Sequence, residues 1–217
     1  MPPSLDDARE QVAAASRRLA AEGLVHGGAG NVSVRAGDRI AVTPAGSMLR
    51  DVQARDVAVT DLAGGPLQGR PTSEIAMHAG IYAGRDEEVG AIVHCHAPVA
   101  TALSTVLDEL PLVHYELALL GGAIRVAPYA TFGTPELADN VIAALEERSA
   151  ALMANHGAVA VGATAAEAVE RAVTLEFCCE VYWRAAAIAA PRLLDERALE
   201  AAAAAFAGQR SIEDMSG

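Results

Sequence analysis

The sequence predicts a mixed α/β fold: one central, largely antiparallel β-sheet flanked by helices. Three observations predict it. Short runs, alternating in polarity or continuously apolar, recur at 31–35, 40–43, 57–60, 89–96, 124–126, 150–154 and 158–161, and they have strand length. Longer segments at 5–22, 74–83, 98–106, 135–148, 165–189 and 195–206 carry helix-start residues or helical apolar spacing. The order is one helix, a run of short strands, then strands alternating with helices, without internal repeat. That pattern calls for one sheet core in a single domain over residues 1–217, a length that buries a full core.

Each element has a local cause. Ser4 is placed to N-cap the first helix, Asp6 and Asp7 suit its positive end, and Gly23 stops it. Gly27, Gly28 and Gly30 lead into a strand on which Asn31 and Ser33 share a face. Asp38 turns a hairpin into 40–43, and Thr43-Pro44-Ala45-Gly46 makes a second glycine turn at the same end. Residues 63–71, rich in Gly and Pro, read as loop. Thr72 or Ser73 caps the helix at 74, leaving N–H groups at its positive end as a place for phosphate. Pro98 and Pro135 sit in first turns, and Thr134 and Thr164 are N-caps. The final helix is nearly all alanine, and the polar tail 207–217 is expected to be mobile.

Composition excludes several chemistries. A net charge of −12 with no basic stretch argues against a nucleic-acid partner. No apolar run approaches the about 20 residues of a membrane span. The chain has no lysine; all 16 basic residues are Arg. Schiff-base aldolase chemistry, pyridoxal-phosphate anchoring and a P-loop lysine are therefore ruled out. Cys95, Cys178 and Cys179 are odd in number and follow a polar, acidic start, so a reduced, cytoplasmic setting is expected. Cys178 and Cys179 cannot both face one side of a helix and read as core.

The chemistry concentrates in His94-Cys95-His96, at the end of the apolar run from Val89. Residues two apart on a strand face the same way, so both imidazoles can share one metal ion. His156 also ends a buried strand, beside Gly157. Glu74 opens a helix next to hydroxyls and glycine turns. Three His ligands leave a position for water or substrate, the mark of a catalytic zinc site and not a structural one. His78, one turn on from Glu74, reads as packing in preference to a ligand, and the two glycine turns can form a phosphate cup. A cupin also uses His-x-His but needs a Glu soon after the pair and far less helix.

At this point the chain resembles the class II aldolase/adducin family, in its L-fuculose-1-phosphate-aldolase-like branch. The resemblance runs from about residue 8 to 206. It is carried by Gly30-Asn31-Val32-Ser33-Val34-Arg35, Thr43-Pro44-Ala45-Gly46, Thr72-Ser73-Glu74, His94-Cys95-His96, His114-Tyr115, Ala127-Pro128-Tyr129-Ala130-Thr131-Phe132-Gly133-Thr134 and His156-Gly157. It implies a three-layer fold and a homotetramer with sites at subunit interfaces. It implies one Zn²⁺ per subunit on His94, His96 and His156, with Glu74 as acid/base and as a ligand when substrate is absent. Gly30, Asn31, Ala45, Gly46, Thr72, Ser73 and Phe132 would line the site for a small phosphorylated sugar. Tyr115 would protonate the aldehyde oxygen in a neighbouring subunit's site.

The implied reaction splits a ketose 1-phosphate between C3 and C4 into dihydroxyacetone phosphate and an aldehyde. Without lysine as electron sink, a metal must stabilise the enediolate. Glu at 74 also separates the chain from the pentulose-phosphate 4-epimerase branch, which carries Asp there. Two residues depart from the pattern. Ala45 stands where the fuculose enzyme has a phosphate-touching hydroxyl, and Gly208, Gln209 and Arg210 stand where it brings a C-terminal tyrosine over the site. The alternatives are a methylthioribulose-phosphate dehydratase or oxo-acid-phosphate decarboxylase on the same fold, and a non-enzymatic adducin-like module.

Overall fold

The computed structural model describes residues 2–85 and 89–214, with 210–214 as backbone only. Its helices are α1 (Leu5–Ala21), α2 (Ile75–Arg85), α3 (Pro98–Leu103), α4 (Pro135–Ala144), α5 (Ala165–Ala186) and α6 (Glu196–Asp214). Its strands are β1 (Asn31–Ala36), β2 (Arg39–Val42), β3 (Ala58–Asp61), β4 (Pro66–Gln68), β5 (Ala91–Cys95), β6 (Glu109–Leu110), β7 (Ile124–Ala127), β8 (Ala150–Met153) and β9 (Gly157–Gly162). The caps behave as their residue types require. Ser4, Thr134 and Thr164 accept hydrogen bonds from the backbone N–H groups of Asp7, Leu137 and Glu167, satisfying first-turn donors.

The strands form one sheet in the order β4-β3-β2-β1-β5-β9-β8-β7-β6. Every pair is antiparallel except β7–β8, so the largely antiparallel expectation holds. Successive strand residues face opposite sides. Val93 and Cys95 join the core under α1, α3 and α5, while Ile92 joins the core under α2 and α4. The result is helix, sheet, helix, with the central strands buried on both faces. Cys95, Cys178 and Cys179 are free thiols inside it. Among the described residues no helix is long and apolar enough to cross a membrane.

Several boundaries differ from the sequence reading. The stretch 63–71 holds β4, an exposed three-residue edge strand that begins at Pro66; an edge position spares proline the ladder donor it lacks. Its pairing with β3 shifts register, which hid it from a two-residue periodicity. The two-residue β6 was not anticipated, and neither were 3-10 turns at Leu49–Asp51, Ala54–Asp56 and Tyr115–Leu120. Helix α4 stops before 148, and Glu147 there takes a left-handed backbone with φ 56°. Helix α6 continues past residue 206 to Asp214, as its alanine-rich sequence permits; residues 215–217 lie outside the described residues.

Strand register positions the chemistry. Asn31 on β1 pairs directly with His94 on β5. The β8–β9 hairpin places His156 beside the same strand end, and its turn needs the left-handed Asn155, φ 56°, a conformation asparagine tolerates better than most. Two glycines make the approach possible. A Cβ on Gly30, where φ is +86°, would lie 2.9 Å from the His94 carbonyl oxygen, and one on Gly157 would lie 2.4 Å from that of Cys95. Any larger residue at either position would push β1 or β9 off the strand that carries the histidines.

Candidate metal centre and substrate pocket

His94 is fully buried at the end of β5, and His96 lies just past it. With His156 they form a nearly equilateral triangle of rings, with centroid separations of 4.9, 4.9 and 5.0 Å. One nitrogen from each lies within 4.8 Å of the others, the set expected from the sequence. His94 Nδ1 lies 3.0 Å from the Ala158 carbonyl and donates to it, which turns the Nε2 lone pair inward. That lone pair faces His96 Nε2 at 3.0 Å and Glu74 Oε2 at 3.2 Å. Glu74 Oε1 lies 3.5 Å from His156 Nε2, and it is buried without a hydrogen-bond partner. Electron-pair donors that meet this way repel each other unless a proton or a metal cation sits among them. Tetrahedral zinc with nitrogen ligands at about 2.0–2.1 Å separates those nitrogens by about 3.3 Å, so the cluster has the scale and the donor chemistry of a metal site.

Charge follows from the same geometry. Burial, then the neighbouring His94 and His156, push His96 down to about 4. His156 is lowered by burial and then by His94. Both are therefore neutral near pH 7, the form that ligates. Burial also works against a charged His94, but the Glu74 charge and hydrogen bond outweigh it and raise its pKa. For Glu74 burial acts upward, while His94, Asn31 and His156 together hold its carboxyl below the usual carboxylate range.

The cluster opens into a cavity of about 430 Å³. Every residue expected to hold substrate lines it: Gly30, Asn31, Ala45, Gly46, Thr72, Ser73 and Phe132, together with Glu74, His96 and His156. The cup is stitched together by backbone. Ala45 N–H donates to the Arg70 carbonyl at 2.9 Å, Thr72 N–H donates to that of Thr43 at 3.1 Å, and Pro44 bridges Pro71. Thr72 Oγ1 accepts the Glu74 N–H at 3.4 Å. A larger cleft of about 640 Å³ by Arg17, Arg50 and Arg55 mixes both charge signs and holds no histidine. The chemistry belongs to the smaller one.

A family model described as "Class II Aldolase and Adducin N-terminal domain" matches residues 10–183. The chain belongs to that family. It is 42% identical over 208 residues to a 5-methylthioribulose-1-phosphate/5-deoxyribulose-1-phosphate aldolase of Rhodospirillum rubrum, covering 92% of this chain and 93% of that one. It is 36% identical over 208 residues to a 5-deoxy-D-ribulose 1-phosphate aldolase of Bacillus thuringiensis serovar kurstaki, covering 94% and 97%. A solved L-fuculose 1-phosphate aldolase superposes with a TM-score of 0.87 at 34% identity, over 92% of this chain and 96% of that one.

Not every predicted site residue of this class II aldolase-family chain gathers at the cluster. Tyr115 is half exposed, stacked on Phe206 with ring centroids 5.8 Å apart, and is not among the residues lining its own chain's cavity. Sequence reasoning missed Ser47 and Arg70, which do line it. Arg70 stands in a stretch that reads as plain loop, and the Ala45–Arg70 and Thr72–Thr43 backbone bonds of the Pro44–Pro71 bridge bring it to the cup. His78 is neither a ligand nor mere packing. It is fully buried and hydrogen-bonded to Ser33 and Asn31.

Protons compete with a metal for imidazole lone pairs, and His94, with its raised pKa, takes one first. Bound metal per chain should therefore fall as pH drops from about 8 to about 5.5. His156→Ala should weaken metal binding beyond the about 10–100-fold cost of losing an outer-shell partner. Equilibrium dialysis with elemental analysis measures both; full retention in the variant would break the three-histidine site.

Proposed function

We propose that the chain is a zinc-dependent aldolase that splits a ketose 1-phosphate into dihydroxyacetone phosphate and a short aldehyde. The observation that carries this reading is the meeting, in one cavity, of a three-histidine cluster, a buried carboxylate and a cup of glycine turns and hydroxyls. Among ketose 1-phosphates we favour five-carbon 5-deoxy or 5-methylthio sugars ahead of L-fuculose 1-phosphate. The relatives acting on them match over the greater part of both chains. The relatives' names favour aldol cleavage over the dehydratase and decarboxylase alternatives.

The residues divide the work. Thr72, accepting from the Glu74 N–H, still has its own O–H to give to a phosphate oxygen, and Ser73 stands exposed beside it. Arg70 brings positive charge to the cup where Ala45 offers no hydroxyl. A divalent cation on His94, His96 and His156 would supply positive charge against the negative charge that builds on the carbonyl oxygen as C3–C4 breaks. In cleavage the C4 hydroxyl proton passes to the Glu74 carboxylate, C4 becomes the aldehyde carbonyl as the C3–C4 electron pair is left on the three-carbon half, and Glu74 returns that proton to C3. Tyr115 of a neighbouring copy is the partner for the C4 oxygen. Its exposure and its absence from the lining of its own chain's cavity support that role and a homotetramer with sites at subunit interfaces. Three free buried thiols support a reduced, cytoplasmic setting.

Release of dihydroxyacetone phosphate should be measured from 5-deoxyribulose, 5-methylthioribulose and L-fuculose 1-phosphates. Release that a chelator abolishes and zinc restores is expected, with Glu74→Gln keeping its metal but losing at least about 100-fold in rate. No release from any of the three would sink the reading.

Arg70→Gln should raise KM for the phosphorylated ketose several-fold, about 1 kcal/mol or more of lost charge-assisted hydrogen bonding, with kcat less affected. An unchanged KM would remove Arg70 from phosphate binding.

The interface assignment has its own test. Tyr115→Phe and Glu74→Gln, each slow alone, should regain activity when their subunits are mixed and allowed to exchange. Mixtures no faster than their components would place Tyr115 outside the neighbour's site.

A further inference from the structure

A buried file of polar groups runs from the core of α2 to the catalytic carboxylate. Tyr82 OH lies 2.9 Å from Ser33 Oγ, and Ser33 Oγ lies 2.7 Å from His78 Nδ1. His78 Nε2 lies 2.5 Å from Asn31 Oδ1, and Asn31 Nδ2 donates to Glu74 Oε2 at 2.8 Å. All five residues are buried, Ser33 and His78 fully. Register explains the file. Asn31 and Ser33 share one face of β1, and His78 and Tyr82 are one turn apart on the α2 face packed over it.

We propose that Tyr82, Ser33, His78 and Asn31 form a one-way chain of hydrogen bonds ending on Glu74 Oε2, with His78 as the positioning residue that leaves Oε1 as the working oxygen. The direction follows from donor counting. A carboxylate only accepts, so Asn31 must turn its Nδ2 to Glu74 and its Oδ1 to His78. An amide oxygen also only accepts, so His78 must carry its proton on Nε2. His78 is buried, which pushes its pKa down to about 3 and keeps it neutral, so its Nδ1 is bare and accepts from Ser33. The Ser33 hydroxyl has then spent its proton and accepts from Tyr82, whose phenol burial keeps protonated. Each member has one consistent role, and reversing any link places two acceptors or two donors together.

The consequence is an asymmetric carboxylate. Oε2 receives Asn31 and is held in place. Oε1 is buried, unpartnered and close to His156. A carboxylate free to rotate would present either oxygen; this one presents Oε1. The chain is thus the device that keeps Glu74 aimed at the carbon it reprotonates, and that last step rests on the aldolase reading.

Two measurements test the proposal separately. The first is nitrogen NMR of the full-length, metal-loaded protein with labelled histidine, His78 being assigned by its loss in a variant. A neutral Nε2–H imidazole is expected whatever the activity; an Nδ1–H or protonated His78 would overturn the chain. The second compares His78→Gln, whose amide reaches where Nε2 was, with His78→Asn, which reaches only toward Ser33. His78→Gln should keep most of the activity. His78→Asn should lose about 10–100-fold in kcat with KM and metal content little changed. Equal activity in two folded, metal-loaded variants would overturn the positioning role. A wild-type protein that cleaves no ketose phosphate would instead sink the aldolase reading, leaving the imidazole measurement to decide the chain.

Discussion

The structure depends on imidazole and carboxylate groups packed so closely that a proton or a cation has to sit among them. His94 Nε2, His96 Nε2 and the Glu74 carboxylate converge at about 3 Å, with His156 beside them, in a place where burial penalises any stray charge. Helices, strands and turns around it have to hold that arrangement against its own repulsion until a proton or a cation relieves it. This accounts for how much of the surrounding polar structure serves orientation. Ala158 fixes one imidazole and Asn31 fixes the carboxylate. Such a site is costly for stability and valuable for chemistry, because charge placed there is unscreened by water.

The sheet bears that cost through register. Asn31 opposite His94, and Gly157 against Cys95, are relations between β1, β5 and β9 that a slip of one residue would destroy, since every side chain would change face. The strands carrying the site are also the middle ones, walled on both sides by apolar cores. A buried, two-sided sheet resists slippage better than an edge, so the cluster sits where register is most strongly specified.

Much of this was legible in the sequence. His-x-His at the end of an apolar run, a third His at another strand end and a carboxylate beside a helix cap are local patterns with a chemical meaning, and the structure brings their side chains together. The caps were legible for the same reason: Ser4, Thr134 and Thr164 need only their neighbours. What escaped was non-local. β4 owes its existence to pairing with β3, and Arg70 reaches the cup through a single bridge between two prolines. His78 reads as packing in the sequence because helical spacing shows which residues share its face but not that Ser33 and Asn31 come up from a strand to meet both ring nitrogens. Tyr115 is a different kind of case, since its surroundings within one chain give it no work in that chain's cavity.

The overall charge makes the same point about locality. A chain of net charge −12 repels a phosphorylated sugar at long range, yet exposed charges farther than about 8 Å are largely screened at physiological ionic strength. What an anion entering the cup would meet is therefore set by the few residues that line it, Thr72, Ser73 and Arg70 among them. On the proposed aldolase reading, Ala45 would offer one short-range donor fewer, and the Arg70 guanidinium would supply charge with a longer reach and looser geometry. Such an exchange holds the phosphate end of a substrate less rigidly while leaving the carbonyl end to the histidine cluster. On the proposed aldolase reading it would suit an enzyme that accepts ketose phosphates differing beyond C4, because discrimination would then fall on the aldehyde end.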